Sequence, residues 1–228
     1  MLKTSTHRLI MTKIIRDIYS DITIGPSLGF KGGTALYLIY NLSRFSVDLD
    51  FDLLDISKKE IVLKNITKIV SKYGLVKEKK EKYSTLFWLL SYEKGTNHIK
   101  IEISTRGAGN KYEVKNYLGL STLIMKKEDM FANKLTALLD RKRFANRDIF
   151  DIWFMLDNHW DFNEDLFELR TKTKPKKYLQ KCLKVIKERK SSSILEGIGE
   201  LLDNSTKDWV KKNLIKDTVF LLRARYEI

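Results

Sequence analysis

Cysteine is almost missing from this chain. Cys182 is the single one in 228 residues, so no disulfide can close within it, and the stapled scaffold of a small secreted protein is excluded. That usage suits a reducing compartment, and the cytoplasm is where we expect the protein. Histidine is sparse too, and His7, His98 and His159 show no zinc-ligand spacing. Only Pro26 and Pro175 punctuate the chain, and no repeat or low-complexity tract is present. No apolar run reaches the roughly 20 residues that cross a bilayer, and the opening MLKTSTHRLIMTKII is too polar for a secretory signal, so neither membrane insertion nor export is expected. Negative charge is the scarcer sign: 29 Asp and Glu against 43 Lys and Arg leave a formal net charge of +14. An excess of that size points to a polyanionic partner, for which RNA or nucleotides fit better than a membrane surface.

What is present suffices for a folded protein. An apolar fraction of 43%, with ten tyrosines and eleven phenylalanines, can bury one sizeable core or two small ones. The most informative stretch is residues 30–54, FKGGTALYLIYNLSRFSVDLDFDLL. Gly32 and Gly33 follow a short apolar run and precede Leu36, Tyr37 and Tyr40 at helical spacing, which places them where a strand turns into a helix, with Thr34 as its expected N-cap. Two residues without Cβ atoms let the backbone approach a ligand, and the N–H groups of a helix start favour an anion such as a triphosphate.

Beyond that helix, residues 47–54 alternate with period two. Val47, Leu49, Phe51 and Leu53 take one face of a strand and Asp48, Asp50 and Asp52 the other. Neighbours on one strand face lie about 6.6 Å apart, close enough for two carboxylates to share divalent cations. Three acids on one face repel one another unless something cationic neutralises them, so the pattern points to a metal site. An exposed edge strand kept from aggregating by its acids is the plainer alternative. Ser46 falls on the same face, where its hydroxyl could bind metal or nucleotide; a phosphate attached to it would crowd the carboxylates, which makes it a candidate switch.

The string GGT-x13-D-x-D resembles nucleotidyltransferases of the DNA polymerase beta type. KGGTAL (residues 31–36) followed by RFSVDLDF (residues 44–51) is closer still to the AbiEii/MenT family of toxin nucleotidyltransferases. The resemblance extends to about Asp151. It implies an α/β (α+β) polymerase-beta-like core with a small mixed sheet over residues 1–120 and a helical C-terminal lobe over residues 121–228. It also implies two Mg2+ ions, an NTP substrate, a tRNA 3′ end or other RNA as acceptor, a cognate antitoxin, and a role in a toxin–antitoxin or phage-defence system. Transfer to a small molecule such as an aminoglycoside would use the same residues. A non-catalytic nucleic-acid binder on the same scaffold is the rival from another class.

The remaining site residues follow in chain order. Lys31, Gly32, Gly33, Thr34, Arg44, Ser46 and Arg106 are the nucleotide-binding candidates. Residues 85–91 and 99–104 read as strands joined by a turn at Gly95-Thr96-Asn97, and the second presents Lys100, Glu102 and Ser104 opposite a core-facing Ile99, Ile101 and Ile103. Glu102 is thus the third metal-site carboxylate with Asp48 and Asp50, though an exposed glutamate paired with Lys100 would look the same. Residues 126–143 form a helix whose NKLTAL segment (residues 133–138) is similar to the family's lysine helix; the resemblance gives Lys134 the charge of the departing pyrophosphate. In ANRDIFDIWFML (residues 145–156), Asp148 and Asp151 stand one helical turn apart, and Asp148 is the residue that would hold Lys134 or an arginine in place. From residue 161 the texture changes to helices with lysine-rich faces over residues 174–190, 191–202 and 205–225, which could cradle a nucleic-acid backbone or merely confer solubility.

Overall fold

The computed structural model describes residues 4–93, 97–107, 109–141 and 144–228; the Gly95-Thr96 part of the expected turn lies outside them. The chain divides into two compact units, residues 1–41 with 45–125, and residues 42–44 with 126–228.

The first unit is a seven-stranded mixed sheet carrying helices. Its elements are α1 (Thr4–Ser20), β1 (Leu28–Lys31), α2 (Gly32–Tyr40), β2 (Leu49–Leu53), α3 (Lys59–Val70), β3 (Leu75–Lys82), β4 (Thr85–Tyr92), β5 (Asn97–Ser104), β6 (Tyr112–Tyr117) and β7 (Leu120–Met125). The strand order is β3-β4-β5-β2-β1-β7-β6. β1 runs antiparallel to β2 and parallel to β7, and β2 runs parallel to β5, so the centre of the sheet joins strands distant in sequence.

Register explains why the centre holds. Leu86, Ile103, Phe51, Phe30 and Ile124 are successive partners across β4, β5, β2, β1 and β7, and all five are fully buried. Because side chains alternate along a strand, the next row must face the other way. That row is Phe87, Glu102, Asp50 and Lys31. The lysine-rich residues 77–82, read as a turn or an edge, are an edge strand, where charge blocks further pairing.

Helix α1 buries His7, Met11, Ile14, Ile15 and Ile18 and leaves Leu9 exposed. The second unit is helical: α4 (Lys127–Asp140), α5 (Asn146–Asp157), α6 (Glu164–Thr171), α7 (Pro175–Lys187) and α8 (Asn204–Tyr226). Helix α5 packs on α4 and α8, and α7 packs on α8. Residues 191–202 form short 3-10 turns rather than the expected helix. No helix among the described residues is long and apolar enough to cross a membrane.

Candidate active site

The glycine pair does open a helix, but through Gly32 rather than through a cap at Thr34. Lys31 is the N-cap residue, and no side chain caps the helix start. Gly32 has φ +81°, and a Cβ there would collide with the Asp50 carboxylate. Both facts require glycine: the backbone conformation is one L side chains rarely adopt, and the acid occupies the space a side chain would fill. The first N–H groups of α2 thus start against a carboxylate-bearing strand, which is where an anion and its counter-ions could meet.

Thr34 lies inside α2 and is fully buried. Its hydroxyl bonds the Asp48 carbonyl and lies 2.9 Å from Ser46 Oγ. A carbonyl only accepts and Thr34 has one proton, so Ser46 donates the second bond. Asp48 and Ser46 both precede β2, so Ser46 is tied under the helix rather than set on the acidic strand face as its spacing suggested. A phosphate attached to it would have to break that contact.

Asp50 and Glu102 are direct partners on adjacent parallel strands, and Asp48 stands just before the first of them. Asp48, Asp50 and Glu102 are all half-buried, reachable from solvent. Asp52 differs. It is buried, Lys31 Nζ lies 2.5 Å from its Oδ1, Asn110 Nδ2 donates to its Oδ2 at 2.7 Å, and the Tyr112 hydroxyl donates to the same oxygen. Burial, and then the Asp52 charge, raise the Tyr112 hydroxyl's pKa, so it stays a donor. The Tyr112 ring lies over Gly29, in the space a Cβ would fill. Asp52 is therefore the anchor that fixes Lys31, a role the sequence concealed because its partners Asn110 and Tyr112 lie 58 and 60 residues further along the chain. An isolated glycine within a strand was the available signal.

His7 is the other residue that sequence passed over. Its Nε2 lies 2.9 Å from the Val47 carbonyl and its Nδ1 2.5 Å from the Tyr92 hydroxyl. The carbonyl must accept, so Nε2 carries the proton and Nδ1 accepts from Tyr92. Burial lowers the His7 pKa against the opposing pull of the Val47 hydrogen bond and the Asp48 charge. A neutral ring thus pins the residue immediately before Asp48.

Arg106 lies just past β5, where its Nε donates to Ser84 at 2.8 Å. The second unit contains its own charged cluster. Arg44 is buried and makes a two-point pair with Asp151, Nε to Oδ1 at 2.6 Å and Nη2 to Oδ2 at 2.7 Å. Lys134 Nζ lies 2.6 Å from Asp151 Oδ2 and 3.3 Å from Asp148 Oδ1. Arg141 Nε is 2.8 Å from Asp148 Oδ2, an ion pair not aligned as a hydrogen bond, so that oxygen has no hydrogen-bond partner. Burial pushes the Asp151 carboxyl up, but Arg44 and Lys134 outweigh it and hold the pKa below the ordinary carboxylate value.

Among the described residues, no three His, Cys, Asp or Glu side chains form a group that could hold an ion ready-made. The donor set nonetheless fits Mg2+, which is characteristically bound through one or two carboxylates, with water and substrate phosphate oxygens completing its shell. Asp48, Asp50 and Glu102 supply hard oxygens of that kind.

A mixed sheet carries carboxylates on one face with a glycine-started helix beside them, and comparison with known proteins gives the class of protein that has this layout: a nucleotidyltransferase. Two solved structures share the fold over 100% of this chain. One is JHP933 from Helicobacter pylori, at 23% identity and TM-score 0.66 over 93% of its own length; the other is an H. pylori protein provisionally assigned as a nucleotidyltransferase, at 23% identity and TM-score 0.68 over 96%. No protein of curated function matches the chain in sequence. The family described as nucleotidyl transferase AbiEii toxin, type IV TA system, matches residues 13–214, and this chain belongs to it. It is a nucleotidyltransferase of a toxin–antitoxin family.

Proposed function

We propose that the protein transfers a nucleoside monophosphate from an NTP to a hydroxyl of an RNA, with a tRNA 3′ end as the acceptor, and that this arrests growth in the cytoplasm until an antitoxin intervenes. The observation that carries the reading is the lateral pair Asp50 and Glu102 beside Gly32, whose positive φ starts α2 against the acid. Gly32, Gly33 and the following N–H groups would seat the triphosphate, and Lys31, fixed by Asp52, would face it. Asp48, Asp50 and Glu102 would hold two Mg2+ ions, which supply charge neutralisation to the triphosphate when bound. Glu102 would take the proton of the acceptor hydroxyl as its oxygen bonds to the α-phosphorus and the bond to the β-phosphate oxygen breaks, releasing pyrophosphate. Thr34 and Ser46 would position Asp48 through its backbone. The roles of Lys134, held by Asp148 and Asp151, and of Arg44 and Arg106 toward phosphate charge come from the family resemblance, and Lys134→Gln tests the first.

The deciding experiment incubates purified protein with each labelled NTP and total RNA, and separately with aminoglycosides. Label in RNA that disappears in Asp50→Ala supports the reading. Label only in the small molecule moves the acceptor class, and no label in either refutes transfer.

A further inference from the structure

Residues 172–190 hold nine Lys or Arg (172, 174, 176, 177, 181, 184, 187, 189 and 190) and one acid, Glu188, a net charge of 9 − 1 = +8 out of the chain's +14. Folding sorts these charges onto one side of α7. Tyr178, Leu179, Cys182, Leu183 and Ile186 are buried, whereas Lys176, Lys177, Lys181, Lys184 and Lys187 are exposed. Lys174, just before the helix, pairs with Glu168. Those five lysines of the helix have no carboxylate partner among the described residues. The first turn of α7 contains no acid but two lysines, at the end of the helix where the macrodipole already favours negative charge. The sequence thus concentrates cations where they repel one another and oppose the dipole, a locally unfavourable arrangement that bound phosphate would reverse.

We propose that this face of α7 docks the phosphate backbone of RNA. The choice of RNA rests on the transferase reading above; the geometry argues for a backbone. Thirteen residues extend roughly 18 Å, more than one triphosphate can cover. Lys177, Lys181 and Lys184 recur at about one helical turn, the scale of the step between successive phosphates of a strand. Lysine is a point charge rather than a two-point reader of base edges, and Gln180 is the one exposed amide among them, so contact is with the backbone irrespective of sequence. A membrane surface fits poorly, because an interfacial helix must offer an apolar face and the apolar side chains of α7 are turned into the protein.

The test is equilibrium binding of fluorescein-labelled bulk tRNA to the full chain, without NTP, over a salt series. The variants are Lys177→Glu/Lys181→Glu/Lys184→Glu and a control of equal charge change on exposed lysines elsewhere, Lys64→Glu/Lys68→Glu/Lys79→Glu. The α7 triple should bind at least tenfold more weakly, with a log–log salt slope shallower by about 2 to 3, at roughly 0.7 to 0.9 per lost phosphate contact. The control should stay within about twofold, and the corresponding triple Lys→Arg variant should bind as wild type does. Equal weakening in both Glu triples would reduce the effect to net charge and overturn the proposal. So would loss of binding to phosphatidylserine vesicles with tRNA binding intact, or tighter wild-type binding to duplex DNA lost in parallel. If wild type binds tRNA through α7 but labels no RNA, the surface stands and the acceptor assignment falls. If the α7 triple binds and labels RNA as wild type does, the surface falls and the acceptor assignment stands.

Discussion

At the scale of single residues, the site depends on what is left out as much as on what is placed. Gly32 leaves room for the Asp50 carboxylate and accepts φ +81°. Gly32→Ala should therefore cost about 1 to 2 kcal/mol in backbone strain and, by pushing Asp50 aside, reduce nucleotide transfer by at least about a hundredfold. Urea unfolding and single-turnover labelling measure the two effects, and full activity in this variant would remove Asp50 from the reaction. His7 offers a different handle. Its pKa lies below the ordinary value of about 6.5, so in the window between its folded pKa and 6.5 the unfolded chain binds a proton that the folded chain does not. Stability is then highest above about pH 6.5 and falls as pH drops through that window. His7→Gln, which retains hydrogen-bonding capacity but does not titrate, should flatten this part of the stability profile measured by urea unfolding between pH 5 and 8.

At the scale of elements, what the sequence disclosed and what it withheld have separable causes. The acid strand was legible because burial of Leu49, Phe51 and Leu53 imposes a strict two-residue period, and its partner β5 was legible for the same reason in Ile99, Ile101 and Ile103. Strands β6 and β7 were not read, since the alternation of β6 is confined to Tyr112 and Val114, neither of them in the core, and Ser121 and Thr122 interrupt β7, and with them went the Tyr112 and Asn110 contacts to Asp52. Asp48 and Ser46 were placed on the strand because a period read from side chains does not mark where the ladder begins. Asp151 was seen only as a neighbour of Asp148, although it is the residue on which Arg44 and Lys134 converge. Residues distant in sequence that meet in a buried ion cluster leave no local signal. That cluster yields its own expectation: Asp151→Asn leaves Arg44 and Lys134 without their counter-charge and should destabilise the second unit by about 3 to 5 kcal/mol. Three of the four tryptophans, Trp153, Trp160 and Trp209, lie in that unit, so fluorescence-monitored unfolding reports on it. An unchanged midpoint would mean that the cluster contributes nothing to the fold.

At the scale of the whole molecule, Asp50 and Glu102 form a row of carboxylates on the sheet with Asp48 just before it, an arrangement that bound cations would favour. Residues selected for binding rather than for stability should behave asymmetrically when neutralised. Asp48→Asn and Glu102→Gln remove negative charge from the row and should leave the melting temperature of the free protein unchanged or slightly raised. Binding only to the folded state stabilises it by about 2.7 kcal/mol at a hundredfold excess over Kd, so wild-type protein with an NTP and Mg2+ should melt several degrees higher than without them. Both variants should lose that shift, and chelation with EDTA should abolish it in wild type, whether or not an acceptor is present. The comparison separates two explanations of the acids that sequence alone leaves side by side. If they guard an edge against aggregation, the variants should precipitate on heating while retaining the ligand shift. If they hold cations for a triphosphate, the variants should stay soluble and lose it. Since β2 lies in the interior of the strand order, flanked by β5 and β1, it has no free edge to guard, and the second outcome is the one the topology predicts.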